Sequence, residues 1–120
     1  MTENVRERDG GSLGVPTIAR IWRGATREED RLGYRESLRA DVRDVRSSDG
    51  NVAAFILERQ ADGRAEFLFI SLWESMEAVV GFAGPEPGRA VYFRDDERFL
   101  VELTPFVEHY EIVGQDWPTG

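Results

Sequence analysis

Few residues of this chain are equipped for chemistry. His109 is the only histidine, and there is no cysteine. One imidazole cannot build a two-His-one-carboxylate iron site or a His₃ zinc site. Without thiolates there is no Cys-bound zinc, iron–sulfur cluster or disulfide. All 15 basic residues are arginine, which removes Schiff-base chemistry through lysine. The glycines between Gly10 and Gly14 (GGSLG) lack a P-loop lysine and the spacing of a dinucleotide fingerprint. No Gly-x-Ser-x-Gly elbow occurs. The expectation is a protein with no resident metal, flavin or nicotinamide. Asp95, Asp96 and Glu97 are the right types for Mg²⁺, but a run that favours the positive end of a short helix is the simpler reading.

The remaining candidates are a general base and some cations. His109 alternates with Tyr110 in an apolar stretch. The commoner fate of such a residue is a buried imidazole satisfied by a carboxylate across the sheet or across a dimer. Its functional alternative is a base poised near neutral pH. Arg20 and Arg23 alternate with Ala19 and Trp22. An arginine in a central strand needs a partner; Glu58, Glu108 or Glu111 would serve, and an acidic ligand is the sharper alternative. Tyr92, Arg94 and Arg98 fall in a connector that would overhang a pocket, where loops on rigid scaffolds often carry function. Arg94 and Arg98 also have Asp95, Asp96 and Glu97 as ready partners.

The elements that must position these residues follow from periodicity. Residues 17–24 (TIARIWRG) alternate as a first strand. Thr26 and Glu29 have capping-box spacing, and Tyr34, Leu38, Val42 and Val45 form one helical stripe. Gly33 and Ser37 beside that stripe allow close approach to a sheet. Residues 47–51 (SSDGN) read as a loop, and 52–60 and 65–73 as strands joined at Asp62-Gly63, a type I′ hairpin signal. The second of these strands, from Phe67 to Trp73, is apolar on both faces and so belongs at the sheet centre. Ser75 caps a helix over 76–83 with Met76, Val79, Val80 and Ala83 on one face, stopped by residues 84–88 (GPEPG). Asp95 is placed to cap a short turn through Leu100, and 105–113 (PFVEHYEIV) is the last strand.

The order βαββαβ is the ferredoxin-like split arrangement, an α+β fold. Two helices cover one sheet face only. The apolar second face therefore predicts a homodimer packed sheet on sheet. Residues 1–16 and 114–120 read as tails around one domain over 17–113. The net charge of −8 disfavours nucleic acid and anionic membranes. Without a long apolar run or a signal-type N-terminus, the cytoplasm is the expected location.

The strings Trp73-Glu74-Ser75-Met76-Glu77-Ala78, Val107-Glu108-His109-Tyr110-Glu111 and Ala19-Arg20-Ile21-Trp22-Arg23-Gly24 resemble the antibiotic-biosynthesis-monooxygenase family of dimeric α+β barrel proteins, over residues 17–113. The resemblance implies a cofactor-independent monooxygenase acting on a small aromatic or polycyclic phenol. His109 or Tyr92 would then be the base or donor and Arg98 the charge stabiliser, with Trp73, Phe82, Tyr34 and Trp22 as substrate-binding walls. Haem-degrading members carry an Asn, a Trp and a His at positions that match Ala19, Phe82 and Tyr92, so haem degradation is disfavoured. The alternative is a non-catalytic ligand-binding or stress-related dimer.

Overall fold

A computed structural model describes residues 14–93 and 95–118. Most of the expected N-terminal tail and Arg94 lie outside the described residues.

The described chain is a ferredoxin-like α+β domain. Strand β1 (Ile18–Arg27) is followed by helix α1 (Arg31–Arg46), the hairpin β2 (Asn51–Ala61) and β3 (Arg64–Trp73), and helix α2 (Met76–Ala83). A short helix α3 (Asp96–Phe99) leads directly into β4 (Leu100–Leu103), and β5 (Glu108–Glu111) closes the fold. The sheet runs β2-β3-β1 and is antiparallel throughout, with both β4 and β5 paired to the far edge of β1. β4 occupies the Gly24–Thr26 end of β1 and β5 the Ile18–Ile21 end. The expected last strand is thus two short segments sharing one lane, with β4 drawn from the stretch read as a connector.

The β2–β3 turn is formed as its residues require. Asp62 has φ 55° and Gly63 φ 76°, the pair of positive values a type I′ turn needs. On β3 the burial alternates: Ala65, Phe67, Phe69, Ser71 and Trp73 face inward and are buried. Tyr34, Leu38, Val45 and Val79 of the two helices pack on this inner face. Ile21, Phe55, Leu57, Leu68, Ile70 and Tyr110 fall on the opposite face by register. Phe55, Leu57 and Tyr110 there are 41%, 47% and 55% exposed.

Four local expectations need correction. Thr26 does not cap α1: it is buried inside β1, opposite Ala65 and Leu100. The chain then makes a 3₁₀ turn at Glu28–Asp30, and α1 begins at Arg31 with no side-chain cap. Pairing to two neighbouring strands outweighs a cap worth about 1 kcal/mol. Asp95 likewise makes no cap bond to α3; its carboxylate accepts from Ser37 Oγ at 3.1 Å instead. On α2 the Ser75 cap holds, its Oγ accepting from Ala78 N–H at 3.1 Å. The inward face of α2, however, is Ala78, Val79, Phe82 and Ala83, while Met76 and Val80 are exposed. Gly33 makes its close approach to the Phe99 ring, where an added Cβ would sit 3.2 Å away, rather than to the sheet.

Candidate functional site

The inner face of the sheet, the helices and the connector that follows α2 enclose one largely apolar cavity. The sheet contributes Arg20, Trp22, Phe69 and Ser71, and α1 contributes Tyr34, Leu38 and Val45. Phe82 closes it from α2, and Val91, Phe93 and Asp96 from the connector, with Val107 before β5. It holds about 440 Å³ of space between atoms, the open solvent at its entrance included. The site is a slot between aromatic walls.

Trp22 reaches this wall because the next inward residue is Gly24. An added Cβ there would lie 2.2 Å from the Trp22 ring, so only glycine lets the indole lie flat along β1. Its Nε1–H donates to Thr104 O at 3.2 Å. Trp73 is fully buried behind the wall, packed against Phe82 with ring centroids 5.3 Å apart and planes tilted by 33°. Its Nε1–H donates to Ser71 Oγ at 2.8 Å.

Two charged groups line the slot. Arg20 is central on the inner face, in one rung with Ser71 on β3 and His109 on β5. It is 5% exposed. Its Nη1 donates to Pro87 O at 2.6 Å and contacts His109 Nε2 at 3.1 Å, and its Nη2 donates to Arg89 O at 3.1 Å. The guanidinium also lies 5.7 Å from the Phe82 ring centroid. These acceptors are all neutral, and no carboxylate pairs with Arg20 among the described residues. Burial pulls its pKa down to about 10, which leaves it a cation at neutral pH. Arg23, by contrast, points outward to Glu108 at 3.6 Å.

Asp96 is the second charged group. Its Oδ1 accepts from Tyr34 O–H at 3.0 Å and its Oδ2 from Phe93 N–H at 2.8 Å. Burial raises its pKa above the ordinary carboxylate value, against those two hydrogen bonds. Burial, reinforced by Asp96, pushes the Tyr34 phenol well above its usual value, so Tyr34 is a neutral donor. Asp41 is buried on α1, and its Oδ2 has no hydrogen-bond partner among the described residues. Burial first, then the charges of Asp96, Asp44 and Asp95, raise its pKa to about 6.

The candidate residues divide by place. Trp22, Tyr34 and Phe82 share the slot, and Trp73 supports Phe82 from behind. His109 is one contact away through Arg20. Because arginine only donates, His109 Nε2 accepts and its proton resides on Nδ1 in this arrangement. Burial and the neighbouring Arg20 both lower its pKa. Tyr92 is 45% exposed, with its O–H donating to Thr104 O at 3.3 Å. Arg98 is exposed over the Phe99 ring at 4.8 Å. Neither Tyr92, Arg98 nor His109 is part of the slot lining. Ala19 pairs with Leu72 and Tyr110 and so belongs to the outer face, opposite Phe82. Asp95, Asp96 and Glu97 do not converge, and no group of three such side chains able to hold a metal ion occurs among the described residues.

Sequence reasoning did not place Asp96, Ser71 or Phe93 at the site, nor Asp41 in the core. Asp41 had a signal: Tyr34, Leu38, Asp41 and Val45 are spaced four, three and four, a regular inward stripe with one carboxylate in it.

No protein-family model and no curated protein matches the chain in sequence. Among solved structures, the chain is similar in fold to a Bacillus cereus protein provisionally assigned as an antibiotic biosynthesis monooxygenase. The TM-score is 0.54 at 13% identity, over 87% of this chain and 100% of that one. The likeness extends to the fold, an antiparallel sheet with its helices on one face.

Proposed function

We propose that this protein is a cofactor-independent monooxygenase that oxidises a small aromatic or polycyclic phenolic substrate with O₂ in the slot between sheet and helices. The observation that carries the reading is the composition of that slot: Trp22, Tyr34, Phe69, Phe82 and Phe93 around one buried cation and one buried carboxylate. The resemblance of the three sequence strings and the fold of the Bacillus cereus protein support the same class.

The chemistry asks little of the protein. A substrate with an acidic C–H next to a phenolic ring loses that proton to Asp96, whose burial makes it a better base than a solvated carboxylate. The delocalised carbanion passes one electron to O₂, and the radical and superoxide combine to a carbon-bound peroxide. The Asp96 carboxyl returns the proton to give a hydroperoxide. A carbon that still bears a hydrogen then loses water and becomes a carbonyl. One oxygen atom stays in the product and the other leaves as water, both reducing hydrogens coming from the substrate. The aromatic walls hold the ring and exclude bulk water. His109 holds Arg20, while Tyr92 and Arg98 are exposed and outside the slot lining.

The working form is a cytoplasmic homodimer, its two open sheet faces packed together over Ile21, Phe55, Leu57, Leu68, Ile70 and Tyr110. Sedimentation giving a stable monomer at micromolar concentration would remove this part. A second reading, a non-catalytic dimer that binds a small ligand, is favoured by one feature: the inward nitrogen of the only histidine is already occupied by Arg20. The test separating the two is O₂ uptake by chelator-treated protein across a panel of phenols and anthrone-like compounds. Uptake in step with product is the expected result. Binding of the same compounds without uptake leaves the ligand-binding reading.

A further inference from the structure

The structure assigns Arg20 as an anion-binding residue, and we propose that the slot takes a planar aromatic ligand bearing an ionised oxygen group that pairs with the Arg20 guanidinium. This rests on the reading of the slot as the substrate site and names what that substrate must carry.

A buried guanidinium without a counter-charge is costly, and proteins ordinarily satisfy it with a carboxylate. Here the carboxylates of the same region are engaged elsewhere. Glu108 lies with Arg23, Glu58 is held by Arg35 and Arg31 of α1, and Asp96 is held by Tyr34 and the Phe93 amide. Arg20 is left with two backbone carbonyls and an imidazole nitrogen. Those acceptors fix the direction of the guanidinium without neutralising it, and the group borders the slot. A charge held in place beside an apolar cavity is the arrangement that recognises a charged oxygen on an otherwise apolar ligand. A carboxylate, or a phenol or enol acidic enough to ionise, fits; a neutral ring of the same shape leaves Arg20 unpaired. His109 is a positioning residue in this scheme: by accepting from Nη1 it fixes the guanidinium's orientation.

The experiment is calorimetric titration of the full chain with 2-naphthoate and with 2-naphthamide, which match in size and differ in charge. Wild type should prefer the naphthoate by about tenfold or more. The preference should vanish in Arg20→Gln and return in part in Arg20→Lys. His109→Gln, which keeps an acceptor, should retain it better than His109→Phe. If Arg20→Gln does not fold, the wild-type pair alone decides, with displacement of bound naphthoate by salt as the second readout. Equal binding of the two ligands, or a preference that survives Arg20→Gln, overturns the assignment while leaving the slot as the site. Binding of neither at millimolar concentration overturns it together with the slot reading. Since the titration needs no turnover, absence of O₂ uptake would sink the oxygenase reading and leave the anion site standing.

Discussion

Asp41→Asn should stabilise this protein at neutral pH and do little in acid. The Asp41 carboxyl is buried on the inward stripe of α1, has one oxygen without a partner, and shares its neighbourhood with Asp96, Asp44 and Asp95. Folding raises its pKa from 3.8 to about 6. The native state therefore holds this proton more tightly than the unfolded chain. The associated stability is full below pH 3.8 and is lost as pH rises through 6. Each tenfold displacement of a proton equilibrium is worth about 1.4 kcal/mol, so the whole displacement caps the effect at about 3 kcal/mol. Solvent screening of the exposed neighbouring charges lowers this to on the order of 1–2 kcal/mol. An amide has the same shape and no ionisation to suppress. Urea denaturation of both proteins at pH 4 and pH 7.5 gives the answer as a difference, in which all other titrating groups cancel. The variant should gain on the order of 1–2 kcal/mol at pH 7.5, roughly 5–10 °C in melting temperature, with the gap closing toward pH 4. A variant less stable than wild type at pH 7.5, or a gap independent of pH, would mean that burial does not hold off the ionisation of Asp41.

Gly63→Val should cost at least about 1 kcal/mol in thermal stability: nothing crowds the position, so the penalty is purely that of a β-branched residue at φ 76°. An unchanged melting temperature would mean that the turn relaxes to another type. Ser71→Ala should leave the buried Trp73 indole N–H unpaired and destabilise by about 1–3 kcal/mol by denaturant titration; a neutral effect would mean that another acceptor takes over. Leu72→Asp puts a carboxylate into a buried position of the central strand β3 and should prevent folding or assembly. Soluble protein with wild-type size and circular dichroism would contradict the placement.

The fold was legible because the two signals that decide it are local and strong. The Asp62-Gly63 turn sets the β2–β3 register, and a strand apolar on both faces, Phe67 to Trp73, has to be central. The Thr26 cap failed for the opposite reason. A capping box is a short-range preference, and Thr26 is claimed by pairing with Ala65 and Leu100, partners 39 and 74 positions away. The short strand at Leu100–Leu103 escaped notice because four residues following a helical turn carry no alternation to read. At the site, the aromatic walls were legible as types: Trp22, Tyr34 and Phe82 do share the slot. What the pattern hides is which polar group turns inward. Arg20 follows from strand parity once the inner face is known. Asp96, flanked by Asp95 and Glu97, differs from them only through contacts with Tyr34 and Phe93 that depend on how the connector folds back.

The proposed activity is insertion of one atom of O₂ into an aromatic substrate without a cofactor. Its most direct test is mass spectrometry of product formed under ¹⁸O₂ by chelator-treated protein, with an anthrone-like substrate that the O₂-uptake panel identifies. The expected result is one ¹⁸O atom per carbonyl formed and the second recovered as labelled water, at a rate unchanged by the chelator. Label entering from H₂¹⁸O instead, or turnover that the chelator abolishes, would contradict it.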